Sequence, residues 1–180
     1  YRGYHYTEIT DLLGGDYFLD DADVNRPDDT RLHEGDKISY YNLGDVMWGG
    51  LFAQAEVVKG WYSAFVTTSV SNTSYRRIDY FTYADDDPQQ TTDWVDFWAY
   101  SVKGGASINV APRHKVFANT GYFTRAPFFR YAFVGYTNEV NQGAKHEKIF
   151  SAELGYKYNS PKFGMDLTLY HTNWLDKAIT

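Results

Sequence analysis

Trp98-Ala99-Tyr100-Ser101-Val102-Lys103-Gly104-Gly105-Ala106-Ser107-Ile108-Asn109-Val110 decides the fold. Trp98, Tyr100, Val102, Gly104, Ala106, Ile108 and Val110 share one parity; Ala99, Ser101, Lys103, Gly105, Ser107 and Asn109 share the other. Side chains of an extended chain point alternately to opposite faces, so thirteen residues that alternate without a slip form one strand with an apolar face and a mild polar face.

Five further stretches repeat the pattern. Leu51, Ala53, Ala55 and Val57 oppose Phe52, Gln54 and Glu56, and Tyr62, Ala64, Val66, Thr68 and Val70 oppose Ser63, Phe65, Thr67, Ser69 and Ser71. Val116, Ala118, Thr120 and Tyr122 oppose Phe117, Asn119 and Gly121. Phe150, Ala152, Leu154, Tyr156 and Tyr158 oppose Ser151, Glu153, Gly155 and Lys157, and Met165, Leu167 and Leu169 oppose Asp166, Thr168 and Tyr170. Tyr1 to Thr10 reads as a seventh strand. Short connections fall at Lys59-Gly60, Pro112-Arg113 and Asn159 to Pro161. Long ones cover Asp11 to Asp45, Arg76 to Asp93 and Arg125 to Lys148. Short and long alternate, which predicts an antiparallel up-and-down meander with its long connections at one end.

A soluble sandwich would place Lys and Glu on its outer face and compact turns at both ends. Here the polar rows are Ser, Thr, Asn and Gly, and aromatics collect where strands end, as at Trp61-Tyr62 and at Tyr156, Tyr158 and Phe163. Strands of about 10 to 13 residues suit a tilted bilayer crossing, and spanning strands must pair all round. The expectation is an all-β, antiparallel, up-and-down transmembrane β-barrel. A mean hydropathy of −0.52 is compatible, because half of each strand and the long loops are polar. Seven strands do not close an even-numbered barrel, so residues 1–180 read as one segment of a larger wall, with both ends as cuts.

Composition removes other classes. The 180 residues carry 17 Lys and Arg against 23 Asp and Glu, a net charge of −6, with no basic stripe for a phosphate backbone, so no nucleic-acid partner is expected. The acid is concentrated in loops: nine acidic and two basic residues from Asp11 to Asp36, four acidic and none basic from Asp85 to Asp93. Cysteine is absent, which excludes disulfides, thiolate metal sites and iron–sulfur clusters. No apolar run exceeds four residues, the length of Tyr131 to Val134, far short of a membrane helix.

Two stretches carry a family resemblance. His114 to Pro127 reads His-Lys-Val-Phe-Ala-Asn-Thr-Gly-Tyr-Phe-Thr-Arg-Ala-Pro. Ala144 to Ile179 holds Lys145, Glu147, Lys148, Glu153-Leu154-Gly155-Tyr156, Leu169-Tyr170, Asn173-Trp174 and Asp176. This resembles the barrel of TonB-dependent outer-membrane receptors of Gram-negative bacteria, with His146 where that pattern has Pro. The match is carried by residues from Lys115 to Ile179, and by the meander alone from Tyr1 to Tyr80. It implies a location in the outer membrane and a barrel of about 22 strands, of which this chain is roughly a third; the plug domain and remaining strands lie outside it. It also implies import of a scarce nutrient, such as a metal chelate, corrinoid, glycan or peptide. The implied partners are the lipid bilayer, the TonB motor acting through the absent plug, and a surface lipoprotein. The long loops would then line the ligand vestibule, making Arg125, Arg130, Tyr131 and Tyr136 the candidate ligand contacts, since cationic and aromatic groups suit anionic chelates and sugars. The plain alternative is a loop packed against its neighbours.

No catalysis, cofactor or metal is expected. Asp85-Asp86-Asp87 and Asp20, Asp21 and Asp23 offer oxygens for Ca²⁺ without a coordinating loop pattern. His5, His33, His114, His146 and His171 lack zinc-like spacing, and no Gly-x-Ser-x-Gly turn occurs. Glu56 and Glu153 are one of many carboxylate pairs that 23 acids make by chance. Asn72-Thr73-Ser74 matches a glycosylation sequon, a modification not expected in a bacterial outer membrane. Two other functions fit the strands: a soluble aromatic-rich β-sandwich that binds glycans, and an eight-stranded outer-membrane adhesin.

Overall fold

A computed structural model describes residues 1–15, 17–18, 22–27 and 29–177. The chain is all-β and antiparallel. Its strands are β1 (Arg2–Glu8), β2 (Tyr17–Phe18), β3 (Arg31–Leu32), β4 (Lys37–Lys59), β5 (Tyr62–Asp79), β6 (Val95–Ala111), β7 (His114–Arg125), β8 (Glu147–Asn159) and β9 (Gly164–Leu175). One short helix, α1 (Phe129–Ala132), and a 3-10 turn at Pro88–Gln90 interrupt the long connections. One sheet has the order β1-β4-β5-β6-β7-β8-β9; β2 and β3 pair separately. The six stretches expected as strands and the seventh strand are all present, joined as a meander.

Two compact units divide the chain. The second, Trp48–Thr73, Phe97–Pro127 and Lys145–Thr180, holds the alternating stretches. Register aligns their rows across strands: Ile108 faces Val116, Val116 faces Tyr156, and Tyr156 faces Leu167, while Asn119 faces Gly105 on one side and Glu153 on the other. The apolar rows are the exposed ones, with Trp98 at 63%, Val102 at 49% and Ile108 at 43% exposure. The opposite row is tied internally: Ser63 to Ser107 at 2.8 Å, Ser69 to Ser101 at 2.7 Å, and Asn119 Nδ2 donating to Glu153 at 2.9 Å. Close packing on this face needs glycine at residue 155, where a Cβ would run into the Phe117 ring. Both rows are exposed in β9 and in the part of β4 from Trp48 to Lys59, unlike the one-sided pattern of β6.

The first unit, Tyr1–Met47, Ser74–Asp96 and Phe128–Ala144, contains most of the buried apolar residues, among them Ile9, Leu32, Leu43, Tyr75, Phe81 and Phe133. Here the sequence expectation of loops from Asp11 to Asp45 and from Arg76 onward is corrected. β4 begins at Lys37 and β5 runs to Asp79. Asn42, Leu43, Gly44 and Asp45 are buried consecutively, so both faces of β4 are covered and no period of two appears in the sequence. Asp45 is held by Arg2 Nε at 2.7 Å and Arg76 Nη2 at 2.6 Å. These hydrogen bonds, Arg2's first, lower its pKa to about 2 against the opposing effect of burial.

Candidate ligand cavity

The segment Phe128–Ala144 folds on itself. Gly135 takes φ +57°, a left-handed conformation that glycine adopts without strain. Val134 N–H donates to Glu139 O at 2.9 Å and Asn141 N–H to Ala132 O at 2.9 Å, closing a small hairpin after α1. Phe129 anchors it. Its ring lies edge-on to Tyr75 at 5.5 Å, packs beside Phe133 at 5.3 Å, and lies parallel to the His5 ring at 6.3 Å. Gly44 makes room, since a Cβ there would meet Phe129 Cζ at 2.8 Å. Asn138 Nδ2 donates to the carbonyls of Gln89 and Gln90 at 2.8 Å each, tying the hairpin to the preceding long connection.

This packing leaves a cavity of about 690 Å³ within the first unit. Strands supply His5, Tyr40, Asn42 and Arg77; the hairpin supplies the rest, including Phe129, Arg130, Tyr131 and Tyr136. Tyr40 is placed by a bulge: pairing with β1 jumps from Tyr41 to Ile38, leaving Ser39 at φ +63° and Tyr40 without cross-strand partners there. The Tyr40 and Tyr136 rings lie 5.5 Å apart at 32°.

Arg77 is the buried charge of the cavity, 4% exposed. Its Nη2 donates to Tyr136 O at 2.5 Å, and its buried Nε has no hydrogen-bond partner. Asp79 stands 3.8 Å away, but its carboxylate already accepts from Phe81 N–H, Thr82 N–H and the Thr82 hydroxyl. Desolvation pulls the Arg77 pKa below its ordinary value, and a guanidinium remains charged even so. Arg130 is exposed, with its guanidinium 5.4 Å from the Tyr131 ring centre. The lining includes no carboxylate. Such a site stacks flat rings and attracts anions.

Three of the four residues singled out from the sequence, Arg130, Tyr131 and Tyr136, meet in this cavity. Arg125 belongs to the second unit, where its Nη2 donates to buried Glu147 at 2.6 Å and its guanidinium lies 5.9 Å from the Trp174 ring centre. Arg77, Tyr40, Asn42, His5 and Phe129 were not among the expected contacts.

The acidic clusters serve local structure. Asp87 accepts from Gln89 N–H at 2.8 Å at the start of the 3-10 turn, and Asp85 accepts from Gln90 Nε2 at 3.1 Å. Asp23 caps Asn25 N–H at 3.0 Å and pairs with Arg26 at 2.9 Å; Asp20 and Asp21 lie outside the described residues. Among the described residues no group of three His, Asp or Glu side chains is placed to hold a metal ion. No protein-family model, curated protein or solved structure matches the chain.

Proposed function

We propose that the chain is part of the barrel of a TonB-dependent outer-membrane receptor that imports a scarce nutrient, with the second unit crossing the bilayer and the first forming part of the ligand vestibule. The observation that carries this reading is the exposed apolar row of β6. Trp98, Tyr100, Val102, Ile108 and Val110 are all exposed, while Ser101 and Ser107 opposite are hydrogen-bonded. In water each such side chain forgoes on the order of 1 kcal/mol or more of burial; against acyl chains it forgoes nothing.

Dimensions support it. β7, β8 and β9 have 12, 13 and 12 residues. At ~3.3 Å per residue and a tilt of ~45°, 12 residues rise ~28 Å, near the ~30 Å of a hydrocarbon core. Exposed aromatics stand near both strand ends in this unit, Trp98 and Trp174 away from the tight turns and Trp61 and Phe163 beside them. This is the placement of interfacial girdles. The resemblance from Lys115 to Ile179 favours the receptor family over other barrels.

The test is growth of a strain whose only route to a limiting nutrient is the full-length protein. The expected result is growth that stops when the inner-membrane motor is deleted. Growth unaffected by loss of either the gene or the motor, on every nutrient class named above, would overturn the proposal.

A further inference from the structure

We propose that the cavity around Arg77 binds a carboxylate carried on a six-membered ring, either a sugar acid or an aryl acid, with Arg77 as the anchoring cation. The inference deepens the receptor reading and rests on it for the ligand's transport.

Charge gives the first half. The chain is acidic overall and its long loops especially so, yet the cavity wall brings together Arg77 and Arg130 without a carboxylate. Arg77 is short of acceptors: one bond to the Tyr136 carbonyl, a 3.8 Å approach to an Asp79 already accepting three donors, and an unpartnered Nε. A buried charge with incomplete pairing is costly, and a bound carboxylate supplies both counter-charge and acceptors. Arg130, exposed beside it, raises the local concentration of anions before they enter.

Shape gives the second half. Rings of Tyr40, Phe129, Tyr131 and Tyr136 form the wall, and flat π faces take either aromatic rings or the C–H faces of sugars. The volume of about 690 Å³ lies in the range of small-molecule sites. Asn42 adds an amide group at the wall, suited to ring hydroxyls, while the Asn141 amide already donates to Tyr131 O and accepts from Gly143 N–H. A linear aliphatic acid would use the charge and leave the rings unused; a neutral sugar would do the reverse.

Calorimetric titration of the purified full-length protein in detergent tests this with trigalacturonate, its fully methyl-esterified form, and benzoate. The expected result is binding of one of the two acids, weakened by salt and weakened 10- to 100-fold by Arg77→Gln. Binding of trigalacturonate that drops at least tenfold on esterification assigns the site to sugar acids; binding of benzoate alone assigns it to aryl acids. Because Arg77 also holds the hairpin, Arg130→Gln and Tyr136→Leu are measured in parallel, and each is expected to weaken binding several-fold. Binding of the ester as tightly as the acid, no binding of either acid, or unchanged affinity in all three variants would overturn the proposal. Motor-dependent uptake of the bound acid is measured separately. Charge-dependent binding without uptake sinks the receptor reading alone, and uptake without charge-dependent binding sinks the ligand class alone.

Discussion

Replacing Gly44 with Ala tests how the cavity is built. The added Cβ would stand 2.8 Å from Phe129 Cζ and 3.1 Å from Cε2, against a comfortable carbon–carbon separation of ~3.5–4.0 Å. The ring has little freedom to yield, since Tyr75, Phe133 and His5 surround it. Overpacking of this kind costs about 1–3 kcal/mol. The lower chain entropy of Ala in the unfolded state returns about 0.4–1 kcal/mol. The net is a loss of at most about 2.6 kcal/mol and centrally about 1–2 kcal/mol, a factor of about 5–30 in the opening equilibrium of the hairpin. The assay is amide hydrogen exchange at Asn141, bonded to Ala132 O, and at Val134, bonded to Glu139 O, in the full-length protein. Both are expected to exchange 5- to 30-fold faster in Gly44→Ala and to recover in part when Phe129→Leu is added. Unchanged exchange in the single variant, or no coupling between the two substitutions, would refute the packing argument.

Other expectations follow from charge and burial. The Asp45 carboxyl is lowered to about 2 from an ordinary value near 4, so its contribution is complete above about pH 4 and is lost as pH falls toward 2. Hydrogen exchange in the first unit should accelerate over that range in the native protein, and Asp45→Asn should remove that component. Arg125→Ala leaves Glu147 buried without its 2.6 Å partner; because Arg125 is itself half exposed, unfolding in denaturant should show a loss of about 1–3 kcal/mol. Acid binding at the cavity should be unchanged in that variant. Leu154→Arg, on the exposed apolar row near the middle of β8, should cost about 2–4 kcal/mol in bilayer refolding assays. Ser107→Arg, on the polar row, should cost clearly less.

The sheet was legible wherever one face of a strand is apolar and the other is not. β6 shows this best, and the tight turns at Gly60, Pro112 and Pro161 fixed the meander. The outer parts of β4 and β5 were illegible for a physical reason. Asn42 to Asp45 are buried on both sides, and Arg77 and Asp79 are buried charged residues that read as loop. The cavity was half legible for a related reason. Arg130, Tyr131 and Tyr136 belong to one connection rich in the right chemistry. Arg77 joins them only through a bond to Tyr136, 59 residues away in sequence, which no local pattern encodes. Arg125 has the same chemistry as Arg130, and its neutralisation by Glu147 emerges only from the β7–β8 register that sets the two opposite each other.

The 180 residues contain no cysteine, so single cysteines introduced among them can be spin-labelled once any cysteine elsewhere in the full-length protein is replaced. A scan of the full-length protein in lipid bilayers from Trp98 to Val110, read as collision with oxygen against collision with a water-soluble nickel chelate, addresses the bilayer crossing most directly. The account predicts a period of two, with labels at Val102 and Ile108 relaxed by oxygen and shielded from nickel, and labels at Ser101 and Ser107 the reverse. Nickel access at Ile108 equal to that at Ser107 would contradict it.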